Sequence, residues 1–561
     1  MSSRKVIVVG AGNAGLCAAI SAHDQGASVV VLECAPENER GGNSRFTAGA
    51  IRVAYDGVEE LKALMPDLSS QEIEKTDFGT YTQGQFFDDM ARVTEYRSDP
   101  DLVDLLVKRS METLLWMRDK GVRFVPIYGR QAFEVDGRFK FWGGLTVEAW
   151  GGGPGLVDAL FLTAERAGIE VFYKARAVQL IQEEGEIRGV RVRREGRMFD
   201  MTADAVVLAS GGFEANTEWR ARYLGSGWDL AKVRGSRFNT GDGIRMALDA
   251  GAMPYGNWSG CHAVGWDRNA PDFGDLAVGD GFQKHSYPFG IMINANGERF
   301  VDEGADFRNY TYAKYGSEIL KQPGQFAWQI FDARVSHLLR DEYRIREVTK
   351  VSADSLEDLL ERLDGVDALR ARMTIDAYNA AISAQIDFNP NVKDGRGTVG
   401  LPVPKSNWAN RIDKPPFSAY AVTCGITFTF GGLRVDSQAR VLDMEQTPIP
   451  GLFAAGECAC VSINGANRLG SNSLSECLVF GARAGRAAAT HASEQGTPTD
   501  SILQARATDE EQRIVSRFFK SEGQERVADI RNDLQKNMEK GLTGKVVSVW
   551  MICQRNLKES F

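Results

Sequence analysis

The stretch Val6-Ile7-Val8-Val9-Gly10-Ala11-Gly12-Asn13-Ala14-Gly15 decides the fold of the first part of the chain. Its apolar run predicts a buried strand, the Gly-x-Gly-x-x-Gly sequence predicts a tight turn, and the following residues predict a helix. In this pattern Gly10 permits the turn, Gly12 lets the backbone approach a pyrophosphate, and Gly15 lets the helix pack closely on the strand. The unpaired N–H groups at the helix N-terminus then face the phosphates.

The next apolar run completes a βαβ unit over residues 1–35. Val29-Val30-Val31-Leu32 predicts a second strand, and Glu33 follows at its tip. An acid at this position accepts hydrogen bonds from a ribose diol. A glycine-rich turn without a ligand is the alternative, but the strand, helix, second strand and acid together favour a dinucleotide site.

Length, charge and cysteine content restrict the class of protein. The 561 residues are too many for one core, so two or three domains are expected. A net charge of −9 argues against nucleic-acid or anionic-membrane partners. No apolar run approaches the ~18–20 residues that span a bilayer, and no signal peptide precedes the first strand, which predicts a cytoplasmic protein. The eight cysteines show no metal spacing, so we expect no metal and no internal electron relay.

Further elements follow from local patterns. Helical spacing appears at 101–120, 156–167 and 355–385, and short strands between 170 and 193 predict a small β-meander. A buried strand, Ala205-Val206-Val207-Leu208, ends near a diglycine turn. A second strand–turn–helix unit covers about 451–491, and a polar tail with helical spacing occupies 496–561.

Seven motifs occur in a fixed order along residues 1–495. They are the Gly10–Gly15 turn with Glu33, Gly41-Gly42-Asn43-Ser44, Leu208-Ala209-Ser210-Gly211-Gly212, Asn239-Thr240-Gly241-Asp242-Gly243, Gly297-Glu298-Arg299-Phe300, Ala454-Ala455-Gly456-Glu457 and Asn464-Gly465-Ala466-Asn467-Arg468-Leu469-Gly470-Ser471-Asn472-Ser473. This set resembles the fumarate reductase/succinate dehydrogenase flavoprotein family. Residues 297–316 and 424–432 look most like its FAD-dependent tricarballylate dehydrogenase branch, whereas residues 456–485 look like succinate dehydrogenase.

The resemblance implies an α/β fold: a Rossmann-like FAD-binding domain with an inserted α+β capping domain and a helical C-terminal tail. The FAD-binding domain would comprise 1–257 and 425–495, the capping domain 258–424 and the tail 496–561. FAD would be noncovalent, because the histidine that binds it covalently in succinate-oxidising members is missing from Asn43-Ser44-Arg45-Phe46-Thr47. The cofactor-binding residues would be Gly10, Gly12, Asn13, Ala14, Gly15, Glu33, Gly42, Asn43, Ser44, Gly49, Ala177, Val178, Ser210, Gly211, Asp242, Glu457, Ser473 and Leu474.

Three residues are the candidates for catalysis. Arg468, in a glycine-rich loop before a helix, can clamp a carboxylate with two parallel bonds, although pairing with a surface acid is the alternative. By resemblance Arg308 occupies the proton-transfer position, but its pKa above about 12 is far from the optimum, so a second carboxylate clamp remains open. His262 matches a substrate-binding histidine, with a structural role as its alternative, and His285 is a weaker candidate.

One position departs from the pattern of the family. Members that act on fumarate carry a histidine where this chain has Phe428, and a phenyl ring cannot donate a hydrogen bond to a carboxylate. Thr427 and Thr429 are possible replacements for the lost donor. Simple succinate or fumarate chemistry is therefore less favoured.

These features together predict an FAD-dependent oxidoreductase that acts on a carbon–carbon bond flanked by carboxylates, with a tricarballylate-like acid as the preferred substrate. Reduced flavin would pass its electrons to a separate carrier protein or quinone-linked partner. Two alternatives remain: a fumarate reductase/succinate dehydrogenase flavoprotein subunit, and an FAD-binding protein without turnover.

Overall fold

The computed structural model describes residues 4–141, 144–383, 385–459, 461–465, 467–494, 508, 510–516 and 527–542. The chain divides into two compact units, 1–495 and 496–561. Cys460, Cys553, Ala466 of the 464–473 motif and most of the predicted tail lie outside the described residues.

The strands are β1 Lys5–Val9, β2 Ser28–Leu32, β3 Ala50–Ile51, β4 Thr76–Asp77, β5 Phe124–Pro126, β6 Ala132–Val135, β7 Arg138–Phe141, β8 Val147–Ala149, β9 Glu170–Phe172, β10 Arg176–Glu183, β11 Glu186–Arg194, β12 Arg197–Thr202, β13 Ala205–Leu208, β14 Lys232–Val233, β15 Pro254–Asp267, β16 Ile291–Asn294, β17 Phe326–Phe331, β18 Lys350–Ala353, β19 Phe417–Leu433, β20 Arg440–Leu442 and β21 Pro448–Ala454. The helices are α1 Asn13–Asp24, α2 Val58–Leu64, α3 Ser70–Lys75, α4 Gln83–Val93, α5 Pro100–Asp119, α6 Tyr128–Gln131, α7 Gly152–Arg166, α8 Thr217–Trp219, α9 Asp242–Asp249, α10 Arg308–Leu320, α11 Leu356–Glu361, α12 Ala368–Ala381, α13 Val461–Asn464, α14 Asn472–Glu494 and, in the second unit, α15 Val527–Leu542.

The main sheet has the strand order β20-β21-β13-β1-β2-β9. Its strands are parallel except for the edge strand β20. Parallel strands present their carboxyl ends at one edge, and ligands bind there in open α/β sheets. Gly10, Glu33, Ser210 and Glu457 lie at this edge, one to three positions after the ends of β1, β2, β13 and β21.

Close approach of backbones holds the first helix in place. A Cβ on Gly15 would overlap the Gly10 carbonyl oxygen, and one on Gly485 of α14 would overlap the carbonyl oxygen of Ala18 in α1. The predicted packing function of Gly15 is therefore visible in the backbone, and α1 lies against both the turn and α14. No larger residue fits at these contacts without moving a helix.

The small β-meander predicted between 170 and 193 is confirmed in part and extends further. Strands β10, β11 and β12 form an antiparallel three-stranded sheet, whereas β9 joins the main sheet beside β2. The single helical region predicted at 355–385 is two helices, α11 and α12. Gly365 has a φ of +77° between them, and the Asp367 side chain accepts from the Arg370 N–H at 2.9 Å to begin α12.

A second mixed sheet occupies the middle of the chain. Its order is β14-β19-β17-β16, and β15 and β18 also pair with β19. The long strands β15 and β19 run across the predicted boundaries at 257/258 and 424/425, so this sheet draws strands from both sides of each boundary. In the described part of the chain, no helix has the length and apolar character needed to cross a bilayer.

Candidate active site

A cavity with an empty volume of about 1520 Å³, part of it open to solvent, lies at the carboxyl edge of the main sheet. Gly10, Gly12 and Ala14 line it at the N-terminus of α1, where unpaired N–H groups favour an anion. This end of the cavity therefore suits the phosphates of a dinucleotide.

Glu33 lines this cavity at the end of β2 and is buried. Its Oε2 accepts from the Ala11 N–H at 3.0 Å and its Oε1 accepts from the Ala35 N–H at 2.8 Å. Burial raises the pKa of this carboxyl. These backbone bonds hold the side chain at the cavity wall, where its remaining lone pairs can accept from a ribose diol.

A group of buried amides and acids forms the middle of the site. Asn43 donates from Nδ2 to Glu214 Oε1 at 2.5 Å and to the Thr427 carbonyl at 2.9 Å. The backbone N–H of Thr429 donates to Glu457 Oε1 at 2.7 Å. Burial and the neighbouring Glu214 raise the pKa of Glu457 well above its usual range. The group carries few charges and fixes the loops that surround the cavity.

Arg468 and Arg308 both line the cavity and are both buried. Arg468 NH1 donates to the Tyr312 hydroxyl at 2.8 Å and contacts His262 Nδ1 at 3.2 Å, and its NH2 donates to Ser473 Oγ. No carboxylate pairs with Arg468 among the described residues. A guanidinium held in one orientation without an acid partner is suited to a carboxylate ligand.

Each arginine orients one histidine. His262 Nδ1 faces Arg468, and His285 Nδ1 lies 3.4 Å from Arg308 NH1. Because a guanidinium only donates, both Nδ1 atoms act as acceptors, which places the ring proton on Nε2. Burial, reinforced by the arginine charges, lowers the pKa of both histidines well below the usual value, so both are neutral at pH 7. Within the described residues neither Nε2 has a hydrogen-bond partner.

Most of the residues predicted from sequence meet at this cavity. Its wall includes Gly10, Gly12, Asn13, Ala14, Glu33, Gly42, Asn43, Ser44, Ala177, Ser210, Gly211, Asp242, Glu457, Ser473, Leu474, Arg308, Arg468 and His285. Four predicted residues lie off this wall, namely Gly15, Gly49, Val178 and His262. Gly49 packs on the Gly152 backbone, the Val178 carbonyl accepts from Arg245, and His262 lies on β15 behind Arg468.

Sequence analysis missed several polar residues on the wall, among them Tyr312, Arg234 and Gln283. Tyr312 follows Arg308 by four positions on α10, a spacing that puts both on one helix face and offers a usable signal. Arg234 forms a buried ion pair with Asp280, which also accepts from Gln283. No local sequence pattern predicts the hydrogen-bond network of Arg234, Asp280 and Gln283. Phe428 lines the cavity with its ring centroid 5.9 Å from Arg468 Cζ.

The residues present fit FAD. Both amide atoms of Asn13 and the hydroxyl of Ser210 are buried without a hydrogen-bond partner within the part of the chain that the structure describes. Buried polar groups are normally paired, so these atoms call for a polar ligand in the cavity they line. Gly10, Gly12 and Gly211 leave the wall open to it, and Glu33 supplies the acid for a ribose.

Comparison with known proteins adds an independent result. The family described as FAD binding domain matches residues 5–474. The chain is 30% identical over 492 residues to the probable fumarate reductase Ifc3 of Shewanella frigidimarina, covering 87% of this chain and 75% of that protein. It is 28% identical to the NADH:fumarate oxidoreductase of Klebsiella pneumoniae, covering 87% of this chain but only 48% of that protein, so it spans about half the length of this relative. The solved open conformation of a flavocytochrome c3 fumarate reductase superposes with a TM-score of 0.65 at 27% identity, covering 87% of this chain and 78% of that one.

Proposed function

Since this chain belongs to the FAD binding domain family and is an enzyme whose cofactor is FAD, we propose that it reduces the carbon–carbon double bond of a small unsaturated carboxylic acid. The observation that carries this proposal is the presence of Arg308 and Arg468 in the same cavity as the dinucleotide cradle. FAD, when bound, supplies hydride exchange with the substrate carbon. The remaining chemistry belongs to the side chains.

Arg468 is proposed to bind one carboxylate through its planar fork, with Arg308 as the clamp for a second. The neutral His285, on the cavity wall, donates from Nε2 toward the same ligand, since this atom has no partner among the described residues. His262, off the wall, is proposed to orient the guanidinium of Arg468. Cations beside a carboxylate stabilise the enolate-like charge that develops on the substrate in the transition state. Burial of both arginines increases this effect because less water screens them.

A second candidate is the tricarballylate-like substrate predicted from sequence, handled in the dehydrogenating direction. The observation that favours it is Arg234, a third guanidinium on the cavity wall, although Asp280 partly neutralises it. Phe428 also favours the tricarballylate-like substrate. It is apolar and stands where fumarate-handling members of the family carry a histidine. A substrate with three carboxylates would use more of these cations than fumarate does.

FAD is proposed to be noncovalent, because residues 42–47 contain no histidine. Electrons are proposed to come from a separate carrier protein or quinone-linked partner, since the cysteine spacing predicts no internal electron relay. The cytoplasmic location and the boundaries of the capping domain stay predictions.

A panel assay on the purified yellow holoenzyme tests the proposal. Fumarate and other unsaturated acids are supplied with a reduced dye, and succinate and tricarballylate are supplied with an oxidised dye. We expect turnover with at least one unsaturated acid and faster turnover in the reducing direction. Turnover confined to tricarballylate with the oxidised dye would support the second candidate, and no turnover with any acid would leave an FAD-binding protein without activity.

A further inference from the structure

Arg234 is a buried arginine on the cavity wall whose charge is already paired. Its Nε donates to Asp280 Oδ1 at 3.1 Å, and its NH2 donates to the same oxygen. The side chains of Arg234 and Asp280 are only 7% and 6% exposed. No hydrogen bond to NH1 of Arg234 is found among the described residues. One amino group of the guanidinium is therefore left for a ligand, on an ion pair that carries no net charge.

Gln283 stands beside this ion pair on the cavity wall. It is 3% exposed and donates from Nε2 to Asp280 Oδ2. Because a carboxylate only accepts, Gln283 turns its Nε2 toward Asp280, and its Oε1 is the atom left over. No hydrogen bond to this Oε1 is found in the described part of the chain. Arg234, Asp280 and Gln283, which we call the polar corner, thus offer a ligand one donor group and one acceptor.

The polar corner lies close to the arginines that are assigned to the substrate. Burial raises the pKa of a buried phenol, yet three arginine charges together lower the pKa of Tyr312 below its usual value. These charges are those of Arg468, Arg234 and Arg308. The backbone N–H of Arg234 also donates to a carbonyl of β19 at 2.8 Å, which fixes it beside the strand that carries Phe428. A ligand held by Arg468 is therefore within reach of the polar corner.

We propose that the polar corner binds an uncharged substituent of the substrate that both accepts and donates a hydrogen bond, as a primary carboxamide or a hydroxyl group does. The oxygen of this substituent accepts from NH1 of Arg234, and its N–H or O–H donates to Oε1 of Gln283. A carboxylate cannot donate, so it would face the Gln283 oxygen without a bond. It would also add a negative charge beside a pair that is already neutral, and an uncompensated buried charge is costly.

This inference rests on the proposed function and specifies its substrate further. Arg468 holds a carboxylate, whereas the polar corner selects a substituent elsewhere on the carbon skeleton. The presence of Arg234 favours an acid with a further polar substituent, and Gln283 favours an uncharged group over a third carboxylate at this place. A tricarboxylate is then a poorer ligand than the analogue in which this carboxylate is a carboxamide.

Three fumarate derivatives that differ in a single substituent test the inference. One alkene carbon carries CH₂–CONH₂, CH₂–COO⁻ (trans-aconitate) or the apolar CH₂–CH(CH₃)₂. With the holoenzyme and a reduced dye, we expect kcat/KM for the carboxamide to exceed that for trans-aconitate by about 10- to 150-fold, the effect of one hydrogen bond to a charged group. The apolar derivative should also rank below the carboxamide, because it leaves both polar atoms of the corner without a partner.

Two variants test the residues of the corner separately. Gln283→Met removes the acceptor with little change in volume and leaves the Arg234–Asp280 ion pair in place, so the preference for the carboxamide over trans-aconitate should fall about tenfold or more. Arg234→Lys keeps a cation beside Asp280 but removes the second amino group, so it should weaken the carboxamide relative to the apolar derivative. Arg299→Lys is the matched control, because Arg299 forms a buried ion pair with Glu303 off the cavity wall and should keep the wild-type preference.

Equilibrium titration of the oxidised holoenzyme, followed by the visible absorbance of its flavin, measures binding without turnover. The Kd of the carboxamide should be the lowest of the three. Equal or tighter binding of trans-aconitate would overturn the inference, as would an unchanged preference in a Gln283→Met enzyme with full FAD content. A holoenzyme that reduces unsaturated acids without favouring the carboxamide would overturn the inference and leave the proposed function standing. One that binds the carboxamide most tightly but reduces no acid would support the polar corner and contradict the proposed function.

Discussion

Replacing Arg468 by Lys tests the carboxylate clamp, because it keeps the positive charge and removes the planar fork. In the structure the guanidinium is fixed by Tyr312, His262 and Ser473, and a lysine ammonium cannot reproduce these contacts while binding a carboxylate. The loss of one charge-assisted hydrogen bond costs about 1.5–3 kcal/mol. That range corresponds to a roughly 10- to 150-fold decrease in kcat/KM.

The assay is steady-state turnover of the holoenzyme with the acid found in the panel, accompanied by the FAD content of each preparation. Arg434→Lys is the control, because Arg434 pairs with Asp99 away from the cavity wall and should keep wild-type kcat/KM. An Arg468→Lys enzyme with full FAD content and wild-type kcat/KM would refute the clamp. A loss of FAD in step with activity would show that Arg468 supports the fold rather than the substrate.

Three further predictions concern the fold and the cradle. Gly485→Ala should lower the free energy of unfolding by about 1–3 kcal/mol in urea titrations, because the added methyl overlaps the Ala18 carbonyl. Glu33→Gln should weaken FAD binding about 5- to 10-fold in fluorescence titrations, since bonds to a charged acceptor are stronger than those to a neutral one. Glu214→Gln should reduce the loss of stability that accompanies a rise in pH above the ordinary glutamate pKa of 4.5. Burial raises the pKa of Glu214 in the folded state, so the folded protein retains a proton that the unfolded chain loses above its ordinary pKa, and stability falls as pH rises.

Controls separate these effects from general damage. Gly84→Ala places a methyl on α4 at 3.9 Å from Thr82 Oγ1, so the free energy of unfolding should be unchanged or slightly higher. Glu39→Gln removes a carboxylate that pairs with Arg237 at the surface and should leave FAD affinity unchanged. Equal stability of Gly485→Ala and wild type would contradict the close packing of α1 and α14. An unchanged FAD dissociation constant in Glu33→Gln would remove this acid from the ribose contact, and an unaltered pH dependence in Glu214→Gln would place the titrating group elsewhere.

Local sequence patterns predicted the cofactor edge well because each signal lies within a few residues. The run from Val6 to Gly15 contains strand, turn and helix together, and Glu33 needs only the next strand to be placed. The two-helix break at Gly365 was missed because apolar periodicity continues across it. The middle sheet was also obscured, since β15 and β19 pair strands more than 150 residues apart in sequence.

The contacts in the basic part of the cavity could not be predicted from local sequence patterns. Arg468 and His262 meet at 3.2 Å although 206 positions separate them, and only the pairing of β15 with β19 and the loop before α14 brings them together. The ion pair of Arg234 with Asp280 is equally nonlocal. Tyr312 had a local signal in its spacing from Arg308, but the lowered pKa depends on arginines from three separate parts of the chain.

The most direct measurement of the central claim is the visible absorbance of the holoenzyme during anaerobic mixing with acids and with their methyl esters. If noncovalent FAD lies beside cations that grip carboxylates, reduced enzyme should regain its yellow absorbance with an unsaturated acid and should not respond to the corresponding ester. Equal recovery of the absorbance with acid and ester would contradict carboxylate binding by the cationic side chains. A purified protein that is colourless and does not bind added FAD would contradict the account as a whole.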